Sequence, residues 1–211
     1  MLESLLSISP FLFAVIAAIG IAAWSILSRR VLKNEKDFMA VGGLNEILAS
    51  GVMLALILLM GTDLGPARTI DFSRIPAIGW LALAAASILY TVFAFLNYKA
   101  FQTVEATERA VVSQIQIGWV VLLGILLLGE HPGWPQLAGI VLVVAGALLC
   151  TYRKIKHRWG VQGVQLIAIA SLVSGTGSLA DKVAIGYFPI LLYALWLFAL
   201  PGGARADLPT P

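Results

Sequence analysis

The chain has 211 residues, 60% of them hydrophobic and only 12% Asp, Glu, Lys or Arg. A soluble domain needs about 25% charged residues to cover its surface, so this composition, with a mean hydropathy of +0.93, makes lipid the expected solvent. The net charge of +3 does not point to nucleic acid, because the basic residues sit in short clusters between apolar runs. A single cysteine, Cys150, and two histidines in different loops, His131 and His157, rule out an intrachain disulfide and leave no raw material for a metal centre.

A spanning helix needs about 20 mostly apolar residues, at roughly 1.5 Å each across a core about 30 Å thick. Six segments meet that standard, residues 10–28, 40–60, 75–95, 110–128, 135–152 and 161–180, and a seventh, 188–200, begins well but runs out early. The first reads as an uncleaved span. Glu3 precedes it with no Lys or Arg, and its apolar run exceeds the 7–15 residues, roughly, of a signal peptide. The first loop carries Arg29, Arg30, Lys33 and Lys36, the third Lys99 and Arg109, and the fifth Arg153, Lys154, Lys156 and Arg158. That sets ten basic residues in odd loops against Arg68 and Arg74 in the second and none in the fourth. Short basic loops stay cytoplasmic, so the N-terminus is expected outside and the linker 153–158 inside. Trp80 and Trp134, at helix starts, and Tyr152 and Trp159, beside the linker, suit the headgroup level. Pro76 and Pro135 fall in expected first turns, where a missing N–H costs little.

Residues 110–152 read AVVSQIQIGWVVLLGILLLGEHPGWPQLAGIVLVVAGALLCTY. An apolar helix ends in Leu128-Gly129-Glu130, a short turn follows, and the next helix carries Gln136 and Gly139 and then Ala145-Gly146. This resembles the EamA family of the drug/metabolite transporter superfamily, whose fourth helix ends in a Leu-Gly-Glu signature before a glycine-spaced fifth helix. Tyr98-Lys99-Ala100-Phe101 also resembles the end of that family's third helix. The resemblance covers residues 10–200, and its specific part is about 43 residues long, 110–152.

The resemblance implies an all-α, polytopic transmembrane bundle. Family members have ten helices in two five-helix halves, the second inverted. On that plan residues 1–152 are a first five-helix repeat, 153–160 a basic linker, 161–200 the first two helices of a second, inverted repeat, and 201–211 a non-membrane tail. Residues 27–31 (LSRRV) and 179–183 (LADKV) align as the ends of first-of-half helices. Two departures stand out. Ile117 occupies a position where family members often have a proline, so the kink it brings is expected to be absent. The second half stops after two helices, and the ending PGGARADLPTP does not look like family sequence. A truncated gene product is the expectation, a short native tail the alternative.

A charge at the centre of a spanning helix costs about 2.5–3.5 kcal/mol, so each intramembrane polar residue needs a reason. Glu46, beside Asn45, lies about 9 Å into the second helix. It is either a proton or substrate contact in a central cavity or an interfacial residue paired with a base of the first loop. Gln114 and Gln116 project about 200° apart, and at least one is expected in an interhelical hydrogen bond, with substrate contact as the functional alternative. Trp24 and Tyr90, with Asn97 and Tyr98, are cavity-lining candidates against a packing or anchoring role. Glu130 reads as structural, hydrated or accepting from backbone N–H groups that open the fifth helix. Asp181 and Lys182 read as membrane-border residues, with a gate charge as the alternative. Ala82, Ala84, Ala85, Ala86, Ser87, Gly139 and Gly146 are expected to permit close helix approach.

No phosphate loop, Ser-His-Asp set, zinc cluster or haem ligand pair is present in the sequence, so neither a catalytic residue nor a cofactor is expected. The reading is a small-molecule transporter working by alternating access, not driven by ATP, in the cell (inner) membrane. Amino acids, metabolites and drugs are the substrates the resemblance allows. Its partners are a small-molecule substrate and the bilayer, with a homodimer left open. The rival is a non-transporting membrane protein, either an assembly partner or a small intramembrane enzyme.

Overall fold

In lipid an apolar run has no hydrogen-bond partner but its own backbone, and it closes its bonds as a helix. The computed structural model describes residues 10–33, 38–60, 72–155 and 161–206. Its helices are α1 (Pro10–Leu32), α2 (Phe38–Met60), α3 (Ala77–Thr103), α4 (Ala106–Val112), α5 (Ile115–Leu128), α6 (Trp134–Ile155), α7 (Val161–Ala184) and α8 (Ile190–Ala206). A 3₁₀ turn, Phe72–Arg74, precedes α3. No strand occurs among the described residues, and the fold is an all-α bundle. Glu3, Lys36, Arg68, the linker residues Lys156 to Trp159 and the tail beyond Ala206 lie outside the described residues, as do the side chains at 150–155.

Among the described residues, five stretches are long and apolar enough to cross a membrane: Val15–Leu32, Ala40–Leu59, Ala77–Thr103, Glu108–Leu128 and Gly163–Ala184. Trp134–Ala147 and Ile190–Leu200 are shorter apolar helices. Large exposed side chains such as Ile19, Leu59, Leu126 and Leu142 cover the outside of the bundle. That surface suits acyl chains and not water, and the protein crosses the membrane several times.

Several boundaries differ from the sequence expectation. α1 continues past residue 28 through Arg29 and Arg30, because cations in a last turn complement the helix dipole. α3 runs to Thr103 instead of ending near 95, since Asn97, Tyr98 and Phe101 are buried against neighbouring helices. α8 carries the helix through residues 201–206, into the stretch expected as a non-membrane tail. The fourth segment is broken even though no proline replaces Ile117. Amides of Gln114, Gln116 and Ile117 bond to carbonyls three residues back, at 3.2, 3.0 and 3.0 Å. The chain therefore tightens to 3₁₀ geometry between α4 and α5.

α7 lies at the centre, along α3 and beside α5, while α2 packs along α8 and α8 also touches α3. α7 can occupy that place because its facing residues are small: Gly163, Ala170, Ser171, Ser174, Gly175 and Gly177 are buried. A Cβ at Gly163 would collide with Val104 of the α3–α4 corner, and one at Gly175 would stand 2.9 Å from Trp119 Cδ1. In lipid, where apolar burial gives no drive between helices, such close packing supplies much of the association energy. The expected small-residue contacts hold only in part. Ala82, Ala86 and Ser87 are buried, whereas Ala84 and Ala85 are exposed. Gly139 and Gly146 have nothing within 4 Å of a would-be Cβ. They lie on an open face of α6, which makes only light contact with α4 and α5.

The bundle has two distinct ends. At one meet the last turns of α1 and α3 and the starts of α4 and α7, rich in Arg and Lys. At the other meet the start of α3, the α5–α6 turn and the α7–α8 turn. There Trp80 stands edge-on to Phe188 at 5.2 Å and tilted against Phe72 at 6.3 Å.

Candidate functional site

Polar side chains that must stay inside an apolar bundle collect where helices can satisfy one another. They do so at two depths. At the basic end Arg109, on α4, points between α1 and α3. Its Nε donates to Asn97 Oδ1 at 2.7 Å and its Nη1 to Ser25 Oγ at 3.2 Å. The guanidinium lies 5.5 Å from the Trp24 ring centre and 4.7 Å from that of Phe101, within the range of a cation–π contact. Trp24 also stands edge-on to Phe101 and Tyr98. Asn45 of α2 donates to the Tyr98 hydroxyl at 3.1 Å, and Arg29 Nη1 donates to the Phe101 carbonyl. Of the sequence candidates, Trp24, Asn45, Asn97 and Tyr98 therefore converge at this end. Glu46, next to Asn45, is buried, at 7% exposure.

Tyr90 belongs to the second cluster. Its hydroxyl donates to Asp181 Oδ2 at 2.5 Å and lies 3.3 Å from Ser178 Oγ. Tyr193 of α8 donates to the other carboxylate oxygen, Oδ1. One carboxylate, half-buried, thus ties α3, α7 and α8 together. Lys182, one helical step round from Asp181, faces outward and pairs with Glu130. Glu130 thus has a partner that the sequence reading did not include, and its side chain stays part-exposed. The α6 start is served by Gln136, whose Oε1 accepts from the Gly133 amide at 3.0 Å.

The two glutamines diverge as their spacing requires. Gln114 Nε2 donates to Ala110 O of its own chain segment at 3.0 Å, and the Gln116 stem packs against Gly175. The interhelical bond expected of them is made instead by Trp119, whose indole N–H donates to Thr176 Oγ1 at 3.1 Å. An open, mainly apolar groove of roughly 430 Å³ between α5 and α6 is lined by Ile117, Ile125, Glu130, Gln136, Gly139 and Ile140. Among the described residues no three His, Cys, Asp or Glu side chains gather to hold a metal.

Sequence reasoning missed Arg109, Ser178 and Tyr193. Arg109 counted only as a topology charge, although it lies inside the Glu108–Leu128 span and so needed a partner. Tyr193 and Ser178 carried no local signal, because their common partner is defined only by the packing of α3, α7 and α8.

The Leu128-Gly129-Glu130 turn now has a geometry. Gly129 adopts φ 65°, ψ 28° and caps α5, and the Glu130 amide donates back to Gly124 O at 3.1 Å. The Glu130 carboxylate folds over Gly124, where a Cβ would lie 2.8 Å from Oε2. The model of the EamA-like transporter family matches residues 8–152, more than half of the chain. The chain belongs to that family. No curated protein and no solved structure matches it. The EamA-like match takes in the Arg109 cluster and the Glu130 turn, while Asp181, Lys182 and Tyr193 lie beyond its last residue. Membership makes the protein a member of a membrane transporter family for small molecules.

Proposed function

We propose that this EamA-like protein carries a small organic molecule across the cell (inner) membrane by alternating access, without ATP. The observation that supports this most is the seat of α7. This helix follows the family-matched region, yet it lies between α3 and α5 of that region, with a polar cluster towards each end. The substrate path then runs beside α7. Trp24, Asn45, Glu46 and Arg109 stand at its basic end and Tyr90 and Asp181 towards the other, with Gln116 between; Gln114, bonded to its own segment, is the weakest of the candidates. Small residues on α7 let neighbouring helices shift against it with little steric cost, as rocking of two halves about a fixed site requires. In this reading the basic end is cytoplasmic and the N-terminus external, from the bias of Lys and Arg between loops.

Proteoliposomes holding the full chain, loaded for counterflow with radiolabelled amino acids, organic acids and cationic drugs, test the reading. Saturable exchange of at least one class is expected. Absence of exchange for every class, with correctly folded protein in the vesicles, defeats it.

A further inference from the structure

Arg109 is held in a way that a purely structural arginine does not need. Its two hydrogen bonds go to neutral groups, Asn97 Oδ1 and Ser25 Oγ, and among the described residues no carboxylate lies within ion-pair distance of it. A guanidinium has five N–H donors in a planar fork, so most of its donor capacity is uncommitted. The rings of Trp24 and Phe101 fix the plane of that fork. Such immobilisation favours bidentate capture of a carboxylate or phosphate.

A second cation comes to the same place. Arg29 donates to the carbonyl of Phe101, the residue whose ring faces Arg109. Ser25 and Arg29 are four residues apart on α1 and so are neighbours on one helix face, and Ser25 is an Arg109 partner. Two guanidinium groups beside one phenylalanine repel each other more strongly here than in water, because the surroundings are less polar. A bound oxyanion reverses the sign of that energy.

We propose that Arg109, with Arg29 at the rim, forms an oxyanion-binding subsite at the basic end of the path. The ligand is a small molecule bearing a carboxylate or phosphate group. The assignment rests on the transport reading and narrows its substrate to an anion. The same chemistry can arrive on a soluble metabolite or on an anionic lipid headgroup.

The test uses the full chain in phosphatidylcholine nanodiscs, titrated with succinate and with inorganic phosphate. A parallel set of nanodiscs contains phosphatidylglycerol and no added anion. Tryptophan emission and the thermal unfolding midpoint are read in both. A saturable change with succinate or phosphate is expected, about tenfold or more weaker in Arg109→Gln and a few-fold weaker in Arg29→Gln. A response to phosphatidylglycerol alone, lost in the same variants, retains the oxyanion site and gives it to the lipid. If Arg109→Gln does not fold, Arg29→Gln and Arg109→Lys carry the comparison. No saturable response in either set, or equal affinity in wild type and variants, overturns the proposal. Binding without any transport defeats the transport reading and leaves the subsite standing. Transport of a neutral or cationic solute with unchanged KM in Arg109→Gln does the reverse.

Discussion

Gly129 turns the backbone left-handed at the end of α5, and among the described residues it alone has a positive φ. A side chain in that conformation costs about 1–2 kcal/mol, and the turn it makes directs Glu130 back over Gly124. Gly129→Ala should therefore destabilise the protein by roughly 1 kcal/mol in reversible unfolding from detergent micelles. Gly139→Ala, with nothing near its Cβ position, should change stability by less than about 0.5 kcal/mol or raise it slightly. Equal losses at the two sites would mean that backbone conformation does not explain Gly129. The sequence made this glycine legible because Leu-Gly-Glu followed by a new apolar run reads as a helix end. It could not reveal the partner of Glu130, since Lys182 lies 52 residues away and no local pattern joins them. Arg109 is a like case. Its charge is visible in the sequence, but with Lys99 it has the form of a topology signal. Only the packing of α1, α3 and α4 shows its partners.

Among the elements, α7 was legible as an apolar helix but not as the centre of the bundle. Its small residues are spread through a run that also holds Leu, Ile and Val, and only packing shows which face they share. The tie at Asp181 depends on that packing, because Tyr90 and Tyr193 approach one carboxylate from α3 and α8. Interhelical hydrogen bonds in membrane proteins average about 0.6 kcal/mol and reach about 1.7 kcal/mol. Tyr90→Phe and Tyr193→Phe should each cost roughly 1 kcal/mol. In Asp181→Ala the two tyrosine losses should fall nearly to zero, a coupling that double-mutant cycles measure directly. Additive losses in that cycle would show that the tyrosines act by ring packing alone. The break between α4 and α5 was not expected, because Ile117 stands where a kinking proline would be. The helix tightens instead at Ser113 and Gln114, whose side chains bond back to Ala110 O at 3.0 Å each. Short polar side chains that compete for backbone carbonyls distort a helix without proline.

For the whole molecule, the sequence carried the architecture well, because hydropathy and charge act over whole segments and do not depend on tertiary contacts. Charge also favours one orientation that packing alone leaves open, since a bundle of helices fits the bilayer either way up. Ten basic residues in odd loops against two in even ones favour the ends of α1 and α3 and the linker 153–158 in the cytoplasm. The packing adds a consistency requirement. Lys33 and the starts of α4 and α7 share one end, while His131 and the α7–α8 turn share the other, so a single label at each end reports on the entire bundle. In a background with Cys150→Ala, a cysteine at exposed His131 should react with a membrane-impermeant maleimide in intact cells. A cysteine at exposed Lys33 should react only after the membrane is opened. The reverse pattern would invert the topology and place the Arg109 cluster on the outside. Labelling of both sites in intact cells would mean that the chain inserts in both senses, and loop charge would then not govern its insertion.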